Sequence, residues 1–367
     1  MPQTPTPTQA PSRDDIFSGV KPVEERHKLD EVKLAAWLDA NVAGYEGPLE
    51  VFQFKGGQSN PTYRLDTPAK RYVLRRKPFG KLLPSAHAMD REFRVISALH
   101  KAGFPAPKTY GLCTDDGVIG AMFYVMEMVA GRIFWDPTLP TLAPAERRAL
   151  YEAEVATLAQ LHNYDPASIG LGDYGKPGNY FARQVERWSR QYRASETEKI
   201  EAMERLMEFL PRTVPAQERI SVVHGDYRMD NMIFDAREPK VIAVLDWELS
   251  TLGDPLADFS YFLMGWLMPP ATQGAGSSGL AGVNLKEMGI PTMEEATTLY
   301  CKLTNREGIP DLDWYSAFNM FRLTAILQGI AGRVRDGTAA STQATETIKR
   351  IGSLSDAALH FAIKAGA

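Results

Sequence analysis

An acid and an amide five positions apart stand out in the run His224-Gly225-Asp226-Tyr227-Arg228-Met229-Asp230-Asn231, which follows the apolar stretch 220–223. Asp226 is placed to accept or orient the proton of an attacking hydroxyl. Asn231 can offer a neutral oxygen to Mg²⁺ without adding charge. Fifteen residues beyond Asn231 comes Asp246, in Asp246-Trp247-Glu248, after a second apolar run, 241–245. An acid at the end of a strand is the expected ligand for a Mg²⁺ that bridges nucleotide phosphates. These are the parts that phosphoryl transfer asks for, at the spacing it asks for. The bland alternative, two surface turns with Asp and Asn as turn formers, accounts for either segment alone but not for the pair.

The chain on either side must position these residues. Residues 30–41 read as a helix with Leu34, Trp37 and Leu38 on one side. Alternation predicts strands over 49–54, 63–65 and 72–75, the first two separated by Gly56-Gly57. In the third strand Val73 and Arg75 share a face. A helix capped by Ser85 is expected over 85–101, with Met89, Phe93, Ile96 and Leu99 as an apolar stripe. Glu92 sits inside that stripe, and an acid there needs a partner. Strands at 110–113 and 118–128 follow, with Asp115-Asp116-Gly117 as their turn.

Beyond Gly131 the texture is helical. Helices are expected at 144–163 and, as one long charged helix, at 180–210, then near 255–268, 292–306, 312–335 and 341–364, with 269–282 a loop. The fold class is therefore α+β: a small antiparallel-sheet N-lobe, a hinge near 127–131 and a larger, mainly helical C-lobe. The boundaries are a flexible tail over 1–24, the N-lobe over 25–128, and the C-lobe with catalytic loop and acceptor site over 129–367. A formal net charge of −4 gives no global basic field, so neither nucleic acid nor an anionic membrane is an expected partner. Cys113 and Cys301 form no CxxC pair, which argues against a disulfide scaffold or a cysteine zinc site. The Pro/Thr-rich start lacks an apolar segment, and a cytoplasmic location is expected.

The segments GGQSNPTYRL, YVLRRKPFGKLLPSAHAMDREFRV, HGDYRMDNMIFD and LDWELSTLGDPLADFSY together carry a resemblance. The chain resembles the aminoglycoside phosphotransferase superfamily over about residues 25–360. Within it, the likeness is to bacterial phosphotransferase-family proteins related to the kinase-like domain fused to some acyl-CoA dehydrogenases. The resemblance implies a protein-kinase-like fold and transfer of the γ-phosphate of ATP, with Mg²⁺, to a hydroxyl of a small molecule. It implies Asp226 as the catalytic carboxylate, and Asn231 and Asp246 as the metal ligands. Gly56, Gly57, Gln58, Ser59 and Asn60 would form the loop over the nucleotide, with Val73 as apolar cover. Arg75 stands where kinases carry lysine, paired with Glu92, and Lys77 is the fallback. The Glu127 carbonyl and the Val129 N–H would bond the adenine edge. His224, Asp254 and Asp258 read as braces for the loop and for the following helix.

The acceptor is less constrained. Arg183, Arg187 and Arg190 fall at i, i+4 and i+7, one helical face. They are either a solvated face or a site for an anionic acceptor such as the phosphates of a CoA ester. The dehydrogenase-linked relatives point to a hydroxyacyl-CoA. Residues 261–367 hold nine acids and nine bases, which does not favour a polycationic aminoglycoside. A kinase for an aminoglycoside or an amino alcohol, and a non-catalytic kinase-like nucleotide-binding protein, are the competing readings.

Overall fold

The structure, a computed structural model, describes residues 18–55, 60–78, 88–270, 279–337 and 344–367. Among these, the N-lobe holds a six-stranded antiparallel sheet ordered β1-β2-β3-β4-β6-β5. Its strands are β1 (Val20–Pro22), β2 (Glu50–Phe54), β3 (Thr62–Asp66), β4 (Arg71–Arg76), β5 (Thr109–Cys113) and β6 (Phe123–Glu127). Alternation along β4 and β6 divides two cores. Tyr72, Leu74, Phe123 and Val125 face Leu34 and Leu38 of helix α1 (Glu31–Asn41). Val73, Tyr124 and Met126 face the other way, with Val95, Ile96 and Leu99 of α2 (Met89–Lys101), and this core runs on into the C-lobe. Arg75, opposite Tyr124 in register, is thereby carried to the inner face. A slip of one residue would turn it outward.

The N-lobe departs from expectation in three places. Residues 20–22, assigned to the flexible tail, form edge strand β1, with Val20 opposite Phe54. A strand of three residues carries too little alternation to be read; residues 1–17 lie outside the described residues. The expected helix over 85–101 starts at Met89 with Ala88 in the cap position, while Ser85 lies outside the described residues. The Asp115-Asp116-Gly117 turn is a single helical turn, α3 (Asp116–Ile119). Asp115 caps it by accepting from the Gly117 N–H at 2.8 Å.

The chain enters the C-lobe beside strand β8 (Met232–Phe234), where Arg132 and Phe234 exchange backbone hydrogen bonds of 2.8 Å. A Cβ on Gly131 would run into the Phe234 carbonyl, so glycine is needed for this approach. Helix α4 (Pro144–Asn163) follows as expected. The 180–210 stretch is two helices, α5 (Tyr180–Ser195) and α6 (Glu201–Arg212), rather than one. The break has a tertiary cause. Gln328 Nε2 donates to the Ser195 carbonyl at 2.8 Å and to the Thr197 hydroxyl at 2.9 Å, and Arg335 donates to the Glu196 carbonyl at 3.1 Å. These donors satisfy acceptors at the end of α5 that a continuing helix would occupy.

Helices α7 (Leu256–Leu267), α8 (Leu285–Met288), α9 (Met293–Leu303) and α10 (Leu312–Arg335) pack behind the loops. The last expected helix is divided into α11 (Ala344–Ile348) and α12 (Ile351–Lys364). Two short strand pairs present the motif residues: β7 (Ser221–Val223) with β10 (Thr251–Gly253), and β8 with β9 (Val241–Val244). Among the described residues no helix is long and apolar enough to cross a membrane. Cys113 and Cys301 are buried free thiols.

Candidate active site

Strand β7 is wholly buried, and the chain leaves it through His224 into a loop held from three sides. Asp258, buried on α7, accepts the backbone N–H groups of His224 at 2.6 Å and Gly225 at 2.8 Å. His224 shares a 2.8 Å hydrogen bond through Nε2 with the Leu245 carbonyl, and its Nδ1 accepts from the Asp226 N–H at 3.2 Å. Those two partners select the Nε2-protonated tautomer. Arg322 of α10 donates to the Gly225 carbonyl at 2.9 Å. Gly225 itself has φ +89°, and a Cβ there would lie 2.9 Å from Leu249 Cβ. Glycine is required on both counts.

The braced loop fixes Asp226. Tyr261 of α7 donates to its Oδ1 at 2.8 Å, and Asn231 Nδ2 donates to its Oδ2 at 3.1 Å and to its carbonyl at 2.9 Å. The Arg228 guanidinium stands 3.4 Å from Oδ2. Burial pushes the Asp226 carboxyl up, but Arg228 and then the Tyr261 hydroxyl outweigh it and hold the group below the ordinary aspartate value. Asp226 therefore presents a fixed, ionised carboxylate. Because Nδ2 of Asn231 is used as a donor, the amide oxygen is its remaining acceptor.

Asp246 follows β9 in the left-handed region, at φ +65° and ψ +59°. A non-glycine residue there is strained, which is common at functional positions. Its Oδ1 meets Arg75 Nη2 at 2.6 Å. Arg75 also pairs with Glu92 at 2.8 Å through Nη1 and with Glu248 at 3.2 Å through Nη2. One guanidinium from the sheet thus ties α2 to the loop after β9 in the other lobe. Glu92 is the most deeply buried of the three acids, and burial pushes its carboxyl up to about 7 against the pull of Arg75.

The other expected site residues are placed as follows. Asn60 is buried and donates to Glu248 Oε2 at 2.7 Å. Gly56, Gly57, Gln58 and Ser59 lie outside the described residues. Val73 packs into the inner core one turn of the pleat from Arg75. Glu127 ends β6, its N–H donating to the Lys108 carbonyl at 2.7 Å, and Val129 is half-buried in the connection that follows. The three arginines of α5 go to different partners. Arg183 turns back on its own loop, to the Gly178 carbonyl and, at 2.8 Å, to the Lys176 carbonyl. Arg187 is exposed over the Trp188 ring at 5.3 Å, and Arg190 is exposed 4.0 Å from Glu186.

Glu248 and Tyr261 join the site without having been singled out for it. Tyr261 lies three positions after Asp258, the same helical face, so its direction was legible once Asp258 was read as a brace. Nothing local told that Glu248 shares Arg75 with Asp246.

Among the described residues no group of three or more His, Cys, Asp or Glu side chains is arranged to hold a metal ion. This does not conflict with Mg²⁺. That ion takes one or two protein ligands and completes its shell with water and substrate phosphates. The half-exposed Asp246 carboxylate and the Asn231 amide oxygen could supply such a donor set.

The sequence matches the phosphotransferase enzyme family over residues 50–280. It is 43% identical over 350 residues to mouse acyl-CoA dehydrogenase family member 10, covering 94% of this chain and 32% of that protein. It is 42% identical over 322 residues to human acyl-CoA dehydrogenase family member 11, covering 86% of this chain and 41% of that protein. The chain thus spans well under half the length of these curated relatives. A crystal structure from Ralstonia eutropha, provisionally named an aminoglycoside phosphotransferase, superposes with TM-score 0.85 at 48% identity, covering 93% of this chain and 100% of that one. Spectinomycin phosphotransferase in complex with ADP and spectinomycin superposes with TM-score 0.58 at 12% identity, covering 90% and 98%, a likeness of fold alone.

Proposed function

Because the chain belongs to the phosphotransferase enzyme family, we propose that it is a small-molecule kinase that binds Mg·ATP between its lobes and transfers the γ-phosphate to an acceptor hydroxyl. The observation that supports this best is the braced Asp226–Asn231 loop set in one lobe with Asp246, which Arg75 of the sheet holds by an ion pair. Arg75 has two guanidinium edges in use. It can keep Glu92 on one and exchange a carboxylate for a phosphate oxygen on the other. Asn231 and Asp246 would hold Mg²⁺, which when bound neutralises charge on the phosphates. Asp226 orients the acceptor hydroxyl and takes its proton late. A carboxylate held below its ordinary pKa is a weak base, and the loose transition state of phosphoryl transfer needs little more.

For the acceptor we favour a hydroxyacyl-CoA. The relatives named acyl-CoA dehydrogenases carry a region like this chain within a longer protein, so the two parts would share a substrate pool. The exposed Arg187 and Arg190 could meet the CoA phosphates, their contacts with Trp188 and Glu186 being at the surface, whereas Arg183 is engaged with its loop. ATP consumption across hydroxyacyl-CoAs, sugars, amino alcohols and aminoglycosides tests this. Turnover with a hydroxyacyl-CoA is expected. Turnover confined to an aminoglycoside or amino alcohol overturns the acceptor, and absence of both turnover and Mg²⁺-dependent nucleotide binding overturns the kinase.

A further inference from the structure

Among the described residues, Glu154 is a buried carboxyl without a hydrogen-bond partner. It lies on α4, is 1% exposed, and neither side-chain oxygen has a hydrogen bond. Leu150, Tyr151, Val155 and Leu158 surround it along the helix as core residues. A protein does not leave such a group orphaned without cost. Glu154 lines a cavity of about 210 Å³ whose walls are mostly apolar, among them Phe134, Tyr151, Phe262, Trp266 and Leu327.

That cavity reaches the catalytic loop. Tyr261 and Arg228 line it, and both contact the Asp226 carboxylate, at 2.8 Å and 3.4 Å. A molecule whose hydroxyl sits at Asp226 would find its next atoms against Tyr261 and the rest inside the cavity. Apolar walls favour a hydrocarbon chain. The cavity also settles what Glu154 asks for. Of the two arginines that line it, Arg228 is paired with Asp230 at 3.1 Å and with Asp226, and neither Arg228 nor Arg350 hydrogen-bonds the Glu154 carboxyl. Burial, with Asp230 nearby, pushes the Glu154 carboxyl well above the ordinary glutamate range, and in its neutral form a carboxyl offers one O–H donor and one acceptor.

We infer that this cavity receives the hydrocarbon portion of a chain-bearing alcohol, and that Glu154 recognises it by hydrogen bonding to a neutral polar group such as a carbonyl. The inference rests on the kinase reading for the position of the reacting hydroxyl, but binding tests it separately. The probe is the neutral N-acetylcysteamine thioester of 3-hydroxydecanoic acid, titrated calorimetrically into the full chain without nucleotide. Wild type should bind it, and the 3-hydroxybutanoyl analogue should bind more weakly. Glu154→Met should lower affinity at least about tenfold, the scale of one lost buried hydrogen bond. It should also raise the melting temperature, because an orphaned polar group has been removed. Glu154→Gln keeps a donor and an acceptor and should restore most of the affinity. A second variant leaves Glu154 in place: Gly265 lines the cavity, a Cβ there meets nothing within 4 Å, and Gly265→Leu should fill the space and block the decanoyl probe. No binding by wild type, or affinity indifferent to Glu154→Met, overturns the inference. Equal loss in the Gln and Met variants overturns the neutral hydrogen bond in favour of a cationic ligand. Glu154-dependent binding with neither ATP consumption nor Mg²⁺-dependent nucleotide binding leaves the inference standing and removes the kinase reading instead.

Discussion

The cleft around Arg75 and the cavity around Glu154 are built on opposite terms. In the cleft one guanidinium answers three carboxylates, and Glu248 has Asn60 besides. In the cavity one carboxyl has no hydrogen-bond partner among the described residues, and the walls are mostly aromatic and aliphatic. A crowded charged cluster can trade one anion for another at little cost, because a carboxylate released from Arg75 toward solvent or a cation is replaced by a phosphate oxygen. An orphaned polar group in a mostly apolar wall would instead gain when a matching ligand arrives, and would discriminate strongly against a ligand that cannot match it. On the proposed function, phosphate handling and acceptor choice would thus rest on different physics on the two sides of Asp226.

Variants can break this division. The largest effect is expected where the two sides meet: Asp226→Asn should cost about 10²–10⁴ in kcat while Mg·ATP affinity is kept, as for loss of a positioned base. Steady-state kinetics with nucleotide titration checks it, and wild-type turnover would show that the loop serves binding alone. Next, Asp246→Ala should weaken Mg·ATP binding by at least about tenfold and leave the binding of a chain-bearing probe unchanged. Calorimetry with and without Mg²⁺ separates these, and an equal loss on both sides would mean that cleft and cavity are one coupled unit.

A smaller effect measures the cleft internally. Arg75→Ala and Glu92→Ala should be non-additive by about 0.5–3 kcal/mol in stability or nucleotide binding, because the two are joined at 2.8 Å in a buried site. Strict additivity would point to Lys77, just past the end of β4, as the cation that matters. The smallest effect is expected at Arg187→Gln and Arg190→Gln. Both side chains are exposed, so each should change the KM of a CoA-bearing acceptor only a few-fold, on the order of 1 kcal/mol or less. The salt dependence of that KM should fall as well. A KM indifferent to both substitutions and to salt returns this face to solvent.

The sequence was most legible where covalent geometry alone sets direction. Period-2 alternation put Val73 and Arg75 on one face of β4, and the sheet register carried that face inward. The rule that an acid within an apolar helical stripe needs a partner pointed to Glu92, and the ion pair with Arg75 is present. The same rule applied to α4 finds Glu154 between Leu150, Tyr151, Val155 and Leu158, a signal equally local and left unread. Its meaning differs from that of Glu92 because a stripe shows that an acid is buried and not what stands across from it.

What the sequence determined by itself is therefore the identity and spacing of the chemical groups and the faces on which they emerge: Asp226, Asn231 and Asp246 at strand ends, Glu92 inward on its helix. These follow from dihedral preferences and residue periodicities that act over a few positions. Tertiary structure decided which groups meet. It brought Asp246 and Glu248 to one side of Arg75 across 171 and 173 residues of chain. It ended α5 with donors from α10, and it left Glu154 facing a cavity. Contacts over such separations depend on how helices and loops pack around a shared core, and no local pattern records which side chain will fill, or leave open, the opposite wall.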